Sequence, residues 1–258
     1  LRFGVVMAMR SNFVIVEKQG LSFVAYRPWW EAGIIHGSTL RPFSCDPASL
    51  SQAAPVLCAA TGITLIANLR QDHGSTFFDT RSPGALDVVL RTRGSLERYE
   101  EGDAFIVPLS QNVEGQPVAY GVSTADCVPL ILRGEGGWAV IHAGWRGLAN
   151  GIIPKVLKAL GSPVEAAIFP CAGSNAYEVG WEVVEAIGPS AVYVAASSDS
   201  SKALLDTAGT ATNQLREGLG ADRIAVSGIC TIQDVRFHSY RRDGEGAGRA
   251  LTFMVPTI

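Results

Sequence analysis

Short apolar strand-like runs and amphipathic helical stretches are interleaved along this chain, and the mixture predicts an α+β fold (α/β layers) with mixed β-sheets flanked by helices. Three observations carry that expectation. β-Branched and aromatic runs bounded by Gly, Pro, Asn or Asp recur from residue 12 to residue 255. Apolar residues at three- and four-residue spacing mark several helices. Strict strand–helix–strand alternation, the mark of a wholly parallel sheet, is missing. With no repeat, low-complexity tract or Pro/Ser-rich linker, residues 1–258 read as one domain, long enough to bury a substantial core.

The first elements read as a hairpin, residues 12–17 (NFVIVE) and 21–26 (LSFVAY) flanking Lys18-Gln19-Gly20. Asp46-Pro47 opens a helical stretch with Leu50, Leu57 and Cys58 on one side, ending near Gly62. Pro55 lies inside it and predicts a kink or a break. Residues 63–68 read as a buried strand that delivers Gln71-Asp72-His73-Gly74 at its end. The middle of the chain is strand-rich, at 104–108, 118–122, 128–132 and 138–141. After GWRG a helix is expected near 152–160, with Pro154 in its first turn. A second is expected around 177–187, and a third through Leu204, Ala208, Ala211, Leu215 and Leu219. Residues 224–227 and 250–255 predict closing strands.

The chain is 47% hydrophobic and 17% charged with a net charge of −3, which argues against a nucleic-acid partner because phosphate neutralisation needs a concentrated basic face. No run approaches the roughly 18 apolar residues of a membrane helix, so no membrane partner is expected. The opening LRFGVVMAMR has too short an apolar core for a signal peptide and no small-residue cleavage site. Cys45, Cys58, Cys127, Cys171 and Cys230 are scattered, odd in number and free of any CxxC pair. A disulfide framework is not expected, and a reducing cytoplasm is.

Histidine is used four times, always beside glycine or close to arginine: His36 in HGSTLR, His73 in QDHG, His142 in HAGWRG and His238 in FHSYRRD. Its pKa lies nearest neutrality and it is a common metal ligand, so such sparing use marks all four for chemistry. Cys127, in TADCVP, lies fifteen positions before His142 and fifty-four after His73. Together His73, Cys127 and His142 offer a Cys-His-His set, and a catalytic zinc commonly has three protein ligands with a fourth position open. Such an ion lowers the pKa of its water towards ~7 and polarises a substrate atom. These spacings form no local zinc signature, and a free cysteine is most often a small buried hydrophobe. A second reading makes Cys127 a thiolate nucleophile activated by His142, for acyl transfer or amide hydrolysis. The same residues serve both readings.

In HAGWRG two glycines bracket Trp145-Arg146 just before a helix. Glycine permits close approach, a helix N-terminus favours anions, and Arg146 offers a bidentate fork to phosphate or carboxylate. The plainer alternative is a tight turn with a packed tryptophan and a surface arginine. Arg41, the Arg241-Arg242 pair and Arg249 fit either a solvated surface or a binding rim. Tyr177-Glu178 closes the Gly/Pro/Ser/Asn-rich loop PCAGSNAYE.

These motifs together resemble the YfiH-like laccase-domain family, described first as multicopper polyphenol oxidases and later as purine nucleoside phosphorylases. The matching stretches run in family order: HGSTLR, QDHG, GDA (102–104), STADCVP (123–129), HAGWRG, YEVG (177–180), ICT (229–231), FHSYRRD and GR (248–249). The resemblance implies the fold of the YfiH-like cysteine-hydrolase group and a metal, zinc or alternatively copper, at His73, Cys127 and His142. It also implies phosphorolysis of adenosine, inosine or methylthioadenosine, and deamination of adenosine. Some bacterial members are linked to amidase editing of peptidoglycan precursors. This chain departs from the family at Pro42-Phe43-Ser44, where a Gly-Gly turn is usual, and at Asn175-Ala176, where Cys-Cys precedes Tyr-Glu. The family's SLNLG-like run is not recognisable near 45–55.

The expectation is a zinc-dependent purine nucleoside phosphorylase with adenosine deaminase and methylthioadenosine phosphorylase side activities, as a cytoplasmic monomer or small homo-oligomer. Cys127, His142 and Arg146 are the expected catalytic residues, and Arg41, Tyr177 and Arg241 the expected substrate-binding ones, with purine nucleoside and phosphate as small-molecule partners. The alternatives are a Cys127–His142 amidase acting on a peptidoglycan precursor, a copper polyphenol oxidase, and a zinc-storing or scaffold protein. Four histidines are too few for a multicopper electron relay.

Overall fold

A computed structural model of the protein describes residues 5–8, 12–46, 49–63, 65–82, 101–113, 116–196 and 199–256. In chain order it contains β1 (Val5–Ala8), β2 (Phe13–Lys18), β3 (Leu21–Tyr26), α1 (Arg27–Glu31), β4 (His36–Thr39), α2 (Leu50–Thr61), β5 (Leu65–Asn68), β6 (Phe77–Asp79), β7 (Ala104–Val107), β8 (Asn112–Val113) and β9 (Gln116–Thr124). There follow β10 (Val128–Gly134), β11 (Gly137–Ala143), α3 (Trp145–Ala149), α4 (Ile152–Leu160), β12 (Pro163–Ile168), β13 (Glu178–Gly180) and α5 (Trp181–Ile187). Last come β14 (Tyr193–Ala195), β15 (Lys202–Leu205), α6 (Thr207–Leu215), β16 (Ile224–Val226), α7 (Tyr240–Asp243) and β17 (Ala250–Met254).

Among the described residues the strands form an eight-stranded sheet in the order β1-β2-β3-β4-β17-β9-β5, with β8 beside β9, and a six-stranded sheet in the order β16-β12-β10-β11-β7-β6. A small sheet, β13-β15-β14, stands apart from both. Parallel pairs (β5 with β9, β6 with β7, β12 with β16) sit among antiparallel ones, so the sheets are mixed as expected.

The layering follows from period-2 alternation in strands that are apolar on both faces. In β7, Ala104 and Ile106 face the helices, while Phe105 and Val107 face the large sheet. In β11 the same alternation sends Ala139 and Ile141 one way and Trp138 and Val140 the other. The near-continuous apolar runs VPLIL and WAVI are therefore what a central strand with two buried faces requires. Helix α4 covers one face with Ile152, Ile153, Val156, Leu157 and Leu160, an apolar stripe at helical spacing. The outer face of the large sheet is covered by α2, whose Ala53, Leu57 and Ala60 pack on Val14, Val16, Phe23 and Phe253. The described layers thus run α2, large sheet, six-stranded sheet, helices α3 to α6. Each fully buried side chain of this kind is worth about 1.5–3 kcal/mol.

Local signals read from the sequence hold in most places. Gln19 and Gly20 both take positive φ (49° and 80°), the two-residue turn that the twist of a hairpin favours. Helix α2 ends at Gly62 in the left-handed conformation, with its N–H on Cys58 O. Several expectations need correction. Helix α2 begins at Leu50, and it passes through Pro55 as one element; Pro47 lies outside the described residues. Residues 178–180 form strand β13 paired with β15, and the helix begins only at Trp181. Leu204 belongs to β15, because Asp206 caps α6 by accepting from Gly209 N and so sets its start at Thr207. Val5–Ala8, inside the segment read against a signal peptide, pairs with β2.

His36 is also corrected. It has no exposed surface, and its ring stacks edge-on against Trp29 and Phe169. Nε2 accepts from Tyr26 N and Nδ1–H donates to Ile34 O, both at 2.9 Å. Burial pushes its pKa down to about 4 despite those two backbone bonds, so it is a neutral packing residue. His36→Leu would leave the buried Tyr26 N–H and the part-buried Ile34 carbonyl without their partner. It is expected to lower stability in urea by about 2–4 kcal/mol while leaving zinc affinity, measured by chelator competition, unchanged.

Candidate metal and active site

Antiparallel pairing explains the fifteen-residue spacing between Cys127 and His142. Strands β10 and β11 form a hairpin whose register sets Val128 opposite Ala143 and Pro129 opposite His142, so Cys127 returns beside the end of β11. On the other side of β11, Ile141 pairs with Ala104. The next pair along brings Asp103 next to His142, and His142 N donates to Asp103 O at 2.7 Å. His73 comes from the loop after β5 with φ +61°, a left-handed conformation rare for a non-glycine residue. Its backbone N–H and that of Gly74 point at the Asp103 carboxylate, at 3.2 Å to Oδ1 and 2.7 Å to Oδ2.

The result is a cluster in which the ligand atoms of His73, Cys127 and His142 all lie within 4.8 Å of one another. The two imidazoles meet edge to face at 4.8 Å between centroids. One thiolate and two imidazole nitrogens form a donor set suited to zinc, with room for a fourth ligand. The glycines of HAGWRG are explained by crowding. A Cβ on Gly144 would stand 3.0 Å from His73 Cδ2 and 3.3 Å from Cys127 Sγ, and one on Gly147 would stand 2.9 Å from Gly74 O.

Electrostatics sharpen the cluster. Burial is the largest influence on Cys127 and would raise its pKa, but the charge of His142 and hydrogen bonds from His142 and His73 bring it down to about 6. Burial likewise opposes the charged form of His142. The thiolate and the 2.6 Å bond from Nδ1–H to Asp103 Oδ1 outweigh it and raise the imidazole to about 9. Without metal, the pair is a thiolate beside an imidazolium at neutral pH.

These residues open into a cavity of about 1020 Å³. The seven residues expected to bind metal or substrate or to carry catalysis all line it: His73, Cys127, His142, Arg146, Arg41, Tyr177 and Arg241. Arg146 lies over the Trp145 ring at 4.3 Å and has no carboxylate partner among the described residues. Arg241 stacks on Tyr177 at 4.7 Å and donates to Glu178 O at 2.6 Å. Arg41 is partly committed, paired with Asp243 at 3.0 Å. His238 lines the cavity but is held by Phe43 O, and burial pushes its pKa down. It reads as a wall residue.

Sequence reasoning assigned no role to three side chains that organise this site. Asp103, with no exposed surface, holds both histidine segments. Asp126 (φ +88°) precedes Cys127 and accepts from Thr231 Oγ1, Ser239 Oγ and Arg241 N. Gln71 clamps Ser123 twice, accepting from its N–H and donating to its carbonyl. Their signal was present in GDA, TADC and QDHG, each of which carries one of them.

The fold and this site together define a cysteine–histidine domain built at the open end of two packed sheets. Residues 44–257 match the family model described as multi-copper polyphenol oxidoreductase laccase, and the chain belongs to that family, the YfiH-like laccase-domain proteins. A purine nucleoside phosphorylase of Aquifex aeolicus is 44% identical over 147 residues, 55% of this chain and 66% of the relative. The purine nucleoside phosphorylase YfiH of Escherichia coli is 35% identical over 143 residues, 52% of this chain and 57% of the relative. The matches thus span about half to two thirds of the length of these curated relatives. Among solved structures, YlmD from Geobacillus stearothermophilus aligns with a TM-score of 0.75 at 21% identity, covering 99% of this chain and 100% of its own. A Bacillus licheniformis YfiH protein aligns at 0.73 and 18%, covering 96% of this chain and 98% of its own. Both share the fold.

The lowered thiol pKa has a direct consequence in metal-free protein. Cys127 is expected to be alkylated by iodoacetamide at pH 7, with a rate that falls only as pH drops through about 6. His142→Ala should move that midpoint upward, towards the ordinary thiol value near ~8.5. A wild-type midpoint at the ordinary value would contradict the ion pair.

Proposed function

We propose that the protein is a metal-dependent purine nucleoside phosphorylase, with zinc as the metal its donor set fits. The observation that carries this reading is the guanidinium of Arg146, which has no carboxylate partner among the described residues, in one cavity with a Cys-His-His cluster. The names of the sequence relatives supply the nucleoside. Phosphorolysis of methylthioadenosine and deamination of adenosine belong to the same proposal as side activities. Residues 1–258 are read as one domain in a reducing cytoplasm, acting alone or as a small homo-oligomer, where its thiols stay free.

His73, Cys127 and His142 would hold the ion, which when bound supplies a Lewis acid for a substrate oxygen or water. The protein's own groups do the rest by placement. Phosphorolysis joins a phosphate oxygen to C1′ of the ribose as the C1′–N9 bond breaks. Arg146 offers a planar fork that fits phosphate, and its stacking on Trp145 limits the freedom it must lose. Arg241, fixed by Glu178 O and the Tyr177 ring, presents a second positive charge on the cavity wall. Holding two reactants in this way replaces a bimolecular encounter by a positioned one, and positive charge aimed at the phosphate steadies charge as it moves.

One observation favours a second reading. Asp103, His142 and Cys127 are linked in series, an orienting carboxylate, a base and a lowered thiol, which is the arrangement of a cysteine hydrolase. Copper oxidase chemistry fits less well. Two of the four histidines, His36 and His238, are committed to backbone carbonyls, which leaves two for metal.

Metal-quantified protein incubated with adenosine is expected to release adenine and ribose 1-phosphate only when phosphate is present, and to lose that activity in Cys127→Ala. Arg146→Ala should raise the KM for phosphate about 10- to 100-fold, the worth of a charge-assisted hydrogen bond, with a smaller effect on the KM for adenosine. Zinc-loaded protein that turns over no nucleoside would sink the phosphorylase reading. Full amide hydrolysis by metal-free protein would establish the hydrolase instead.

A further inference from the structure

Asp103 does not itself line the cavity and touches none of the atoms that would ligate a metal, yet the hydrogen bonds drawn to its carboxylate from the cluster all serve metal-ligand segments. Oδ1 receives Nδ1–H of His142 at 2.6 Å and the backbone N–H of His73 at 3.2 Å. Oδ2 receives the backbone N–H of Gly74 at 2.7 Å. Its own backbone is tied in as well, since its carbonyl accepts from His142 N and its N–H donates to Thr76 O. The carboxylate has no exposed surface, so water cannot replace any of these partners.

We propose that Asp103 is the positioning residue of the cluster: one buried carboxylate aims His142 and sets the His73–Gly74 turn, so that metal affinity depends on it as on the ligands themselves. The inference rests on the metal-site reading of His73, Cys127 and His142. With Nδ1 committed to Asp103, the imidazole of His142 presents Nε2 as its ligand atom. The left-handed backbone of His73 (φ +61°) is sustained by the two N–H bonds that end on the same carboxylate. A partner that receives the second ring N–H of a ligating histidine typically governs affinity by about 10- to 100-fold. Here the same group also fixes a second ligand, from a segment thirty residues away in sequence.

The substitution Asp103→Asn isolates this role. An amide cannot accept at both positions, so its NH2 must face either Gly74 N–H or the imidazole Nδ1–H, donor against donor. The zinc dissociation constant of the full chain would be measured by competition with a chromophoric chelator. The absorption spectrum of the cobalt(II)-loaded protein would report ligand geometry, and urea unfolding of the metal-free protein would report stability. Glu165→Gln is the control, because Glu165 accepts from Tyr26 and Trp29 away from the cavity. Expected is a loss of zinc affinity of about 10- to 100-fold in Asp103→Asn, with an altered cobalt spectrum, while Glu165→Gln keeps the wild-type affinity. Unchanged affinity in folded Asp103→Asn, or an equal loss in Glu165→Gln, would overturn the proposal. If Asp103→Asn does not fold, Asp103→Glu keeps the charge while displacing the oxygens, and wild-type affinity there would overturn it equally. A wild-type protein that binds no zinc would instead remove the metal reading on which the inference stands.

Discussion

A negative charge with no access to water sits at the centre of this molecule's chemistry. Burying a carboxylate is expensive unless its lone pairs are met by strong donors, and Asp103 meets that condition only because three segments converge on it. It immediately precedes strand β7, β11 brings His142 to its side, and the loop after β5 supplies two backbone N–H groups. Burial alone would raise its pKa; the hydrogen bond from His142 leads the interactions that hold it below the usual carboxylate range. The dependence runs both ways, because the same contacts hold His142 charged and, through it, Cys127 deprotonated in the metal-free protein.

How much of this could be read from the chain differs from residue to residue. His73, Cys127 and His142 were legible because each lies near the end of an apolar strand and close to a glycine or a turn, and close approach at Gly144 shows why glycine is needed there. Asp103 was half legible. Alternation places it on the face of Phe105 and Val107, but that β11 is the neighbour of β7 is a tertiary fact with no local signature. His36 carried the same glycine and arginine context as the others, and only burial between Trp29 and Phe169 separates it from them. At Tyr177 the apolar periodicity of the following helix was extended one turn too far, because pairing of β13 with β15 overrides it. Pro55 was expected to kink or break α2; the helix is not broken there, and Leu57 and Ala60 beyond it pack against the large sheet.

Asp126 has a matching role on the opposite wall. Its carboxylate gathers Thr231, Ser239 and the backbone of Arg241, while its carbonyl accepts from Ala172 N. The motifs ICT and FHSYRRD, remote in sequence from TADC, therefore brace the turn that presents Cys127. Much of what looks like chemistry in the chain is this bracing. Arg242, beside the cavity-lining Arg241, spends its guanidinium on the carbonyls of Thr231, Ile232 and Phe237 and on Asp243.

The β10–β11 hairpin also constrains how this sequence can change length. Its strands are joined across Gly134 and Gly137, and the side-chain period along each is two. An insertion of one residue in β11 just ahead of His142 would turn its side chain away from Asp103 and into the helical layer, and one in β10 just after Cys127 would displace the thiol from its place beside His142. Insertions in matched pairs, one on each strand, would lengthen the hairpin and preserve the pairing that brings Cys127 back beside His142. The interval between the cysteine and the histidine is therefore held by strand pairing, and only the turn at 135–136 can change length without a matching change on the opposite strand.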